Sequence, residues 1–333
     1  MRRVLLLGLS IVALSTASFS THAAAAPAKT PPPAPSVNSN NNTLKISPVR
    51  TDVTIQPGES KKVQVIVTNL TDTAVFVKPI ENDFVAGDEK GTPSIILDEN
   101  SYAPTHSLKR FMLPLKNVTV PAKGSQTVDV TITVPQSAQA GGYFGAIRFA
   151  PTSPDGSKNV NINASVASLI LMTVPGDLVE QLALTNFDIQ QNGGSASNFR
   201  TPDNLEVLLR FRNAGNVQVA PFGQINVLKG EKVVYKTAFN GSDPKDTVLP
   251  DSARRWNVPL KNLGKFGKYT VVGNFTYGTS NKSIEIKKTI WIIPTMYIFG
   301  AIGGLILLIL IIVFVIWFLK SYKKRILRSS RRY

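Results

Sequence analysis

Few side chains in this sequence could do acid–base or metal chemistry, and those that could are spaced for neither. Carboxylates come close together at Asp83, Asp88 and Glu89, and again at Asp98 and Glu99. Catalytic proton transfer needs paired carboxylates or a histidine with a partner. These acids lie in polar, loop-like sequence, so loop solvation or contact with a neighbouring cation is expected of them. His22 falls in the N-terminal segment, which leaves His106 in a Ser/Thr/Pro stretch between Pro104 and Lys109. One histidine cannot form a His-pair metal site. There is no cysteine, which removes thiol nucleophiles, thiolate zinc and iron–sulfur clusters. No glycine loop leads from a strand into a helix, as a phosphate cradle requires. The expectation is therefore a non-enzyme with no catalytic residue, no metal site and no cofactor.

Binding is the remaining chemistry. The run Gly141, Gly142, Tyr143, Phe144, Gly145 is the candidate ligand contact, because glycines permit close backbone approach. Its other reading is a turn feeding a buried strand. Charge adds a second signal. Of 37 basic residues, Arg2, Arg3 and a C-terminal cluster (Lys320, Lys323, Lys324, Arg325, Arg328, Arg331, Arg332) account for nine. That leaves 28 against 21 acids, a surplus of seven in the intervening chain. Such a surplus suits an anionic wall polymer or a lipid surface. Nucleic acid is not expected, since basic residues do not cluster on one segment between Lys29 and Lys288.

The elements that must position these residues begin with two hydrophobic ends. Residues 1–26 read as a secretory signal peptide: a charged start, an apolar stretch from Val4 to Leu14, and small residues around Ala23 to Ala26. Residues 27–42 are a Pro/Asn-rich linker. Near the other end, residues 297–319 give 23 positions without a charge, enough for the roughly 20 that cross a bilayer. The expected membrane helix is 291–319, with Trp291 and Tyr297 at one interface and Trp317 and Tyr322 at the other. The basic residues of 320–333 then form a cytoplasmic tail, leaving everything N-terminal to the helix outside the cell. Membrane lipid is the first expected partner. A secreted sandwich without cysteine favours a bacterial or archaeal surface.

Between the ends, short alternating apolar runs separated by turn residues indicate antiparallel sandwiches. Val63, Val65 and Val67 alternate with polar residues, as do Val128, Val130, Ile132 and Val134. Later, Leu205, Val207, Leu209 and Phe211 do the same. An Asn ends a strand and opens a turn at Asn69 and again at Asn213. Tyr143 and Tyr269 each lie near the start of a penultimate strand, where an immunoglobulin-like sandwich places its tyrosine corner. The expected fold class is all-β: two tandem immunoglobulin-like sandwiches, 43–176 and 177–290, plus one C-terminal transmembrane helix. Asn-x-Ser/Thr sequons occur at Asn41, Asn69, Asn117, Asn163, Asn240, Asn274 and Asn281, and would matter only in a glycosylating host.

The order of parts, with Gly141 to Phe149 closing the first module, resembles the WxL-interacting surface proteins of Gram-positive bacteria. Ile46-Ser47-Pro48, Pro57-Gly58, the run from Val65 to Asn69 and that from Val128 to Pro135 fit the rhythm of that family. They are also similar to the amino-terminal domain of pilus chaperones. The resemblance implies a first domain that binds peptidoglycan and a second that binds host or partner proteins, with no catalytic residues to carry over. Two functions follow as expectations. One is a membrane-anchored, non-enzymatic scaffold on cell-wall polymer and surface proteins. The other is a membrane-tethered assembly factor that adds a strand to a secreted client.

Overall fold

The computed structural model describes residues 43–152 and 165–329. The expected signal peptide, the linker, Arg331 and Arg332 lie outside the described residues, as does the sequon at Asn163. The fold is all-β with one apolar C-terminal helix.

The first nine strands are β1 (Leu44–Ser47), β2 (Arg50–Thr54), β3 (Ser60–Asn69), β4 (Val75–Ala86), β5 (Pro93–Ile95), β6 (Val118–Val120), β7 (Ser125–Thr133), β8 (Gly141–Thr152) and β9 (Val166–Val174). They form a sheet ordered β1-β3-β7 facing a sheet ordered β2-β9-β8-β4-β5, with β6 also on β4. The alternating runs that define β3 and β7 are antiparallel neighbours, Val63 opposite Val130 and Val65 opposite Val128. Their buried faces meet Ile147, Phe149, Ile170 and Met172 from the second sheet. Each such side chain fully removed from water contributes about 1.5–3 kcal/mol.

The second nine repeat the plan: β10 (Leu182–Gln191), β11 (Gly194–Ser195), β12 (Asn198–Phe199), β13 (Leu205–Asn213), β14 (Phe222–Lys229), β15 (Lys232–Phe239), β16 (Ala253–Pro259), β17 (Gly267–Tyr277) and β18 (Lys282–Ile292). Here the sheets are ordered β11-β10-β13-β16 and β12-β18-β17-β14-β15. Aligned element by element, β12-β18-β17-β14-β15 reproduces β2-β9-β8-β4-β5. In both sandwiches the leading segment pairs antiparallel with one sheet and then parallel with the last strand of the other (β1 on β3, β2 on β9; β10 on β13, β12 on β18). One chain segment thus closes an open side of each sandwich. The second core is aromatic: Phe211, Phe239 and Phe275 have ring centroids 5.1–5.8 Å apart, with Trp256 edge-on to the first two.

Both tyrosines close a corner. The Tyr143 hydroxyl donates to the Gln139 carbonyl at 2.8 Å, and that of Tyr269 to the Gly264 carbonyl at 3.1 Å. Each bond ties the end of a penultimate strand to the loop that feeds it. Asn69 is fully buried, so it cannot carry a glycan.

Strand and helix meet later than hydropathy suggests. β18 runs through Ile292, and helix α1 (Thr295–Ser329) begins after Ile293 and Pro294. Trp291, expected as the first residue of the membrane helix, is a strand residue between buried Ile290 and Ile292. An apolar strand that leads directly into an apolar helix leaves no hydropathy boundary. Pro294, which has no N–H for a ladder, supplies the break. Thr295–Ser321 is long and apolar enough to cross a membrane and is not covered by protein. Lys320 and the backbone of Lys323, Lys324, Arg325 and Arg328 continue the same helix.

Candidate functional site at the junction of the sandwiches

The hairpin between β4 and β5 carries two of the acids noted in the sequence, Asp88 and Glu89. Asp88 shapes its tip by accepting the Lys90 and Thr92 amides, both at 2.9 Å, and the Thr92 amide foremost holds its carboxyl below the usual range. Gly91, with φ +91°, lies flat against the Arg254 guanidinium, where any side chain would collide. Glu89 projects from this tip into the second sandwich. Its carboxylate accepts Arg210 Nη2 at 2.6 Å, Arg210 Nε at 3.0 Å and Arg255 Nη2 at 3.0 Å. Its carbonyl accepts the Arg255 amide at 2.5 Å.

The reason for this grip lies in β13 and β16. Arg210 and Arg255 are directly opposite each other in register, and like charges so placed repel. The Glu89 carboxylate, supplied by the other sandwich, neutralises the pair. Hydrogen bonding to Arg210 is the main reason that its pKa falls, opposed by a smaller effect of burial.

A second set of contacts involves the glycine run. Asn216 donates through Nδ2 to the Ala140 carbonyl at 3.1 Å and accepts the Gly142 amide at 2.8 Å through its own carbonyl. A Cβ on Gly141 would stand 2.9 Å from that same carbonyl, and one on Gly142 would strike Gln218. Gln218 Nε2 donates to Thr173 Oγ1 at 3.0 Å, and Arg50 Nη1 to the Lys245 carbonyl at 3.0 Å. Between the two sets of contacts lies a cleft of about 190 Å³. Phe84, Leu169 and Leu171 line it from the first sandwich and Leu249 from the second, with Arg50 and Arg254 among its polar groups. Arg254 Nε is buried with no hydrogen-bond partner.

No family model matches the chain, and no curated protein sequence matches it. Among solved structures it is similar to pilus chaperones. The class 5 fimbriae chaperone CfaA aligns with 74% of this chain and 98% of its own, at 14% identity and a TM-score of 0.37. The E. coli chaperone DraB covers 73% and 95%, at 17% identity and a TM-score of 0.31. The Pseudomonas aeruginosa CupB2 chaperone covers 73% and 99%, at 10% identity and a TM-score of 0.32.

The residues singled out in the sequence therefore divide. Gly141 and Gly142 make the close backbone approach that their type permits, and they make it to the chain's own second sandwich. Phe144 joins Phe84, Ala146 and Leu171 in a small cluster that reaches Leu249. Gly145 faces Met112 and Leu108 inside the first sandwich. Tyr143 is held by its corner bond, and burial pushes its phenol up.

Asp83, expected as a loop acid, is fully buried. It accepts the Ala103 amide at 2.9 Å, Ser107 Oγ at 2.6 Å and the Lys109 amide at 2.9 Å. It organises the loop before β6 and has no open side for a substrate. Asp98 caps a turn at Asn100 and Ser101, and Glu99 pairs with Lys78. His106 Nδ1 sits 2.6 Å from the Gly142 carbonyl. Among the described residues no group of three His, Asp or Glu side chains is placed to hold a metal ion.

Sequence reasoning missed Arg50, Arg210, Arg255, Asn216 and Gln218. The alternation of β13 does put Arg210 outward beside inward Leu209 and Phe211, and Arg254-Arg255 is a visible doublet. What the sequence lacks is the pairing that sets Arg210 opposite Arg255. This arrangement can bind: it offers an apolar floor with guanidinium groups above it, at a joint fixed on both sides.

Proposed function

We propose that this chain is a non-enzymatic, single-pass membrane protein that holds a segment of another surface or secreted polypeptide at the junction of its two sandwiches. The observation that carries the reading is the clamped cleft, with apolar Phe84, Leu171 and Leu249 beside Arg254, which Asp246 and the Thr247 carbonyl hold in place. At about 190 Å³ the cleft falls below the roughly 300–1,000 Å³ of small-molecule pockets, a size suited to one or two side chains of an extended segment. On this reading the apolar helix anchors the binding unit, and the basic residues after it favour a cytoplasmic C-terminus.

A photo-crosslinking residue at Leu249 tests this in intact cells. Discrete polypeptide adducts are expected there, and none from the same residue at Val233 on the far edge strand. Equal labelling from both positions, or labelling that survives Arg254→Ala undiminished, would reject the cleft as the binding site. Protease added outside should meanwhile spare a tag after Tyr333.

The positive surplus outside the tail favours a second reading. On the likeness to WxL-interacting surface proteins, the first sandwich docks on peptidoglycan or another anionic wall polymer. Sedimentation of the protein with purified wall, at low and high salt, separates charge attraction from a shaped contact. No co-sedimentation at either salt removes the wall from the reading and leaves the polypeptide partner.

A further inference from the structure

The strand registers assign the second sandwich two chemically different ends. Lys268 pairs with Trp291, Leu228 with Thr270, Lys229 with Lys232, and Gln191 with Leu205. The loops at 192–204, 230–231 and 260–266 therefore share one end with the root of α1. The junction residues Asn216, Lys245 and Leu249 lie in the loops at the opposite end. At the helix end Arg200, Lys229, Lys232, Lys261, Lys265 and Lys268 are all exposed, against the carboxylates Asp203, Glu206 and Glu231. At the junction end five acids, Asp177, Glu180, Asp243, Asp246 and Asp251, instead outnumber the basic Arg212, Lys245, Arg254 and Lys282.

Aromatic rings are interleaved with the basic side chains at the helix end. Phe266 is 48% exposed at the tip of its loop and Trp291 42% exposed on β18. The Phe266 ring lies 4.9 Å from that of Tyr297 on the first turns of α1. Lys229 Nζ donates to the Phe266 carbonyl at 3.0 Å, and Lys268 Nζ stands 6.0 Å from the Trp291 ring centre. An exposed phenylalanine amid lysines, its ring against Tyr297 at the root of an apolar helix long enough to span a membrane, fits the headgroup layer. There rings sit at the interface and ammonium groups meet phosphate.

We propose that this rim is a second membrane contact, seated on anionic headgroups of the leaflet that α1 enters, and that it sets the tilt of the second sandwich. The proposal rests on the single-pass reading above. The chain has no cysteine, so single labels can be placed in the full-length protein, reconstituted in nanodiscs of zwitterionic lipid or of zwitterionic lipid with anionic phosphatidylglycerol. Ser197→Cys reports the rim, Ser283→Cys the far end of β18, and Leu307→Cys the middle of the helix.

With a headgroup-attached quencher, the label at Ser197 should be quenched at least two-fold more in anionic than in zwitterionic discs. That excess should disappear in the Lys261→Glu, Lys265→Glu, Lys268→Glu variant. It should also disappear for the unchanged chain on raising salt from about 0.1 to about 1 M, which shortens the Debye length from ~10 to ~3 Å. The label at Ser283 should stay unquenched throughout. Quenching at Ser197 that is the same in both lipids and at both salts would overturn the proposal, because the short connection to the helix would then account for it. A water-exposed label at Leu307 overturns the membrane anchor itself, and the rim contact with it. An apolar Leu307 with an unquenched Ser197 overturns the rim alone.

Discussion

Asn69 and Asn213 make the same hydrogen bonds at the same place in their two sandwiches. In each, Nδ2 donates at 2.7 Å to the carbonyl four residues on, Thr73 or Val217, while Oδ1 accepts at 2.9 Å the amide two residues on, Thr71 or Gly215. Nδ2 also reaches a carbonyl on a distant loop, Val120 at 3.3 Å or Val248 at 3.0 Å. Both side chains are fully buried. Each therefore satisfies backbone groups that water cannot reach where a core strand turns away from its sheet, a role that neither Asp nor Ala can fill.

Replacing Asn213 by Ala strips the side-chain partner from the Val217 carbonyl and the Gly215 amide, while the Val248 carbonyl keeps the Val219 amide. A buried group left unpaired costs roughly 1–3 kcal/mol, so the variant should lose about 2–3 kcal/mol of stability. Urea unfolding followed by the fluorescence of Trp256, which packs on Phe211, measures it. A loss well under 1 kcal/mol would mean that water replaces the amide.

The Glu89 clamp should respond to acid. Its folded-state pKa is depressed from the ordinary 4.5 by Arg210 and then Arg255. Its contribution to the joint is therefore complete above the ordinary value and is lost as pH falls through the lowered one. Spin labels at Lys61→Cys and Lys236→Cys should move apart as pH drops through that window. Glu89→Gln should give the wider separation at neutral pH, with no step on acidification. Identical titrations of the two proteins would show that the clamp does not hold the joint.

Gly142→Val would drive a side chain into Gln218 and Phe144, forcing the sandwiches apart and disturbing the small Phe144 cluster beside the joint, while the main core of each sandwich stays out of reach. We expect the melting of the unchanged protein to split into two transitions, with the far-ultraviolet dichroism at low temperature preserved. A single transition displaced to lower temperature would instead place the damage inside the first sandwich.

The melting temperature should be indifferent to chelator and to reductant. The chain has no cysteine, and among the described residues no three His, Asp or Glu side chains are grouped to hold a metal ion. A clear fall with a chelator would reveal a bound cation.

What the sequence made legible was whatever rests on local pattern. Period-2 alternation located β3, β7 and β13, because one face of each packs on a core and the other does not. The asparagine turns and the tyrosine corners were readable because their bonds span only two to five residues. Asp83 was misjudged for the opposite reason: its three donors come from 20 to 26 residues away. The junction escaped for the same cause, since Glu89 meets Arg210 across 121 positions. The glycine run was recognised as a site of close approach, but residue type alone does not say whether the approaching backbone belongs to a ligand or to the same chain.

The short passage from β18 into α1 has a mechanical consequence. If the first sandwich is pulled away from the helix, tension runs through the length of the second. β18 then carries load along its own axis against β17, to which it is paired over 11 residues from Lys282 to Ile292. Strands drawn lengthwise past each other must break many backbone bonds together, whereas a strand peeled from its end breaks them one at a time. With only Ile293 and Pro294 between ladder and helix, little slack is available to turn the first geometry into the second. The passage from ladder to helix is thus wired to resist being peeled apart.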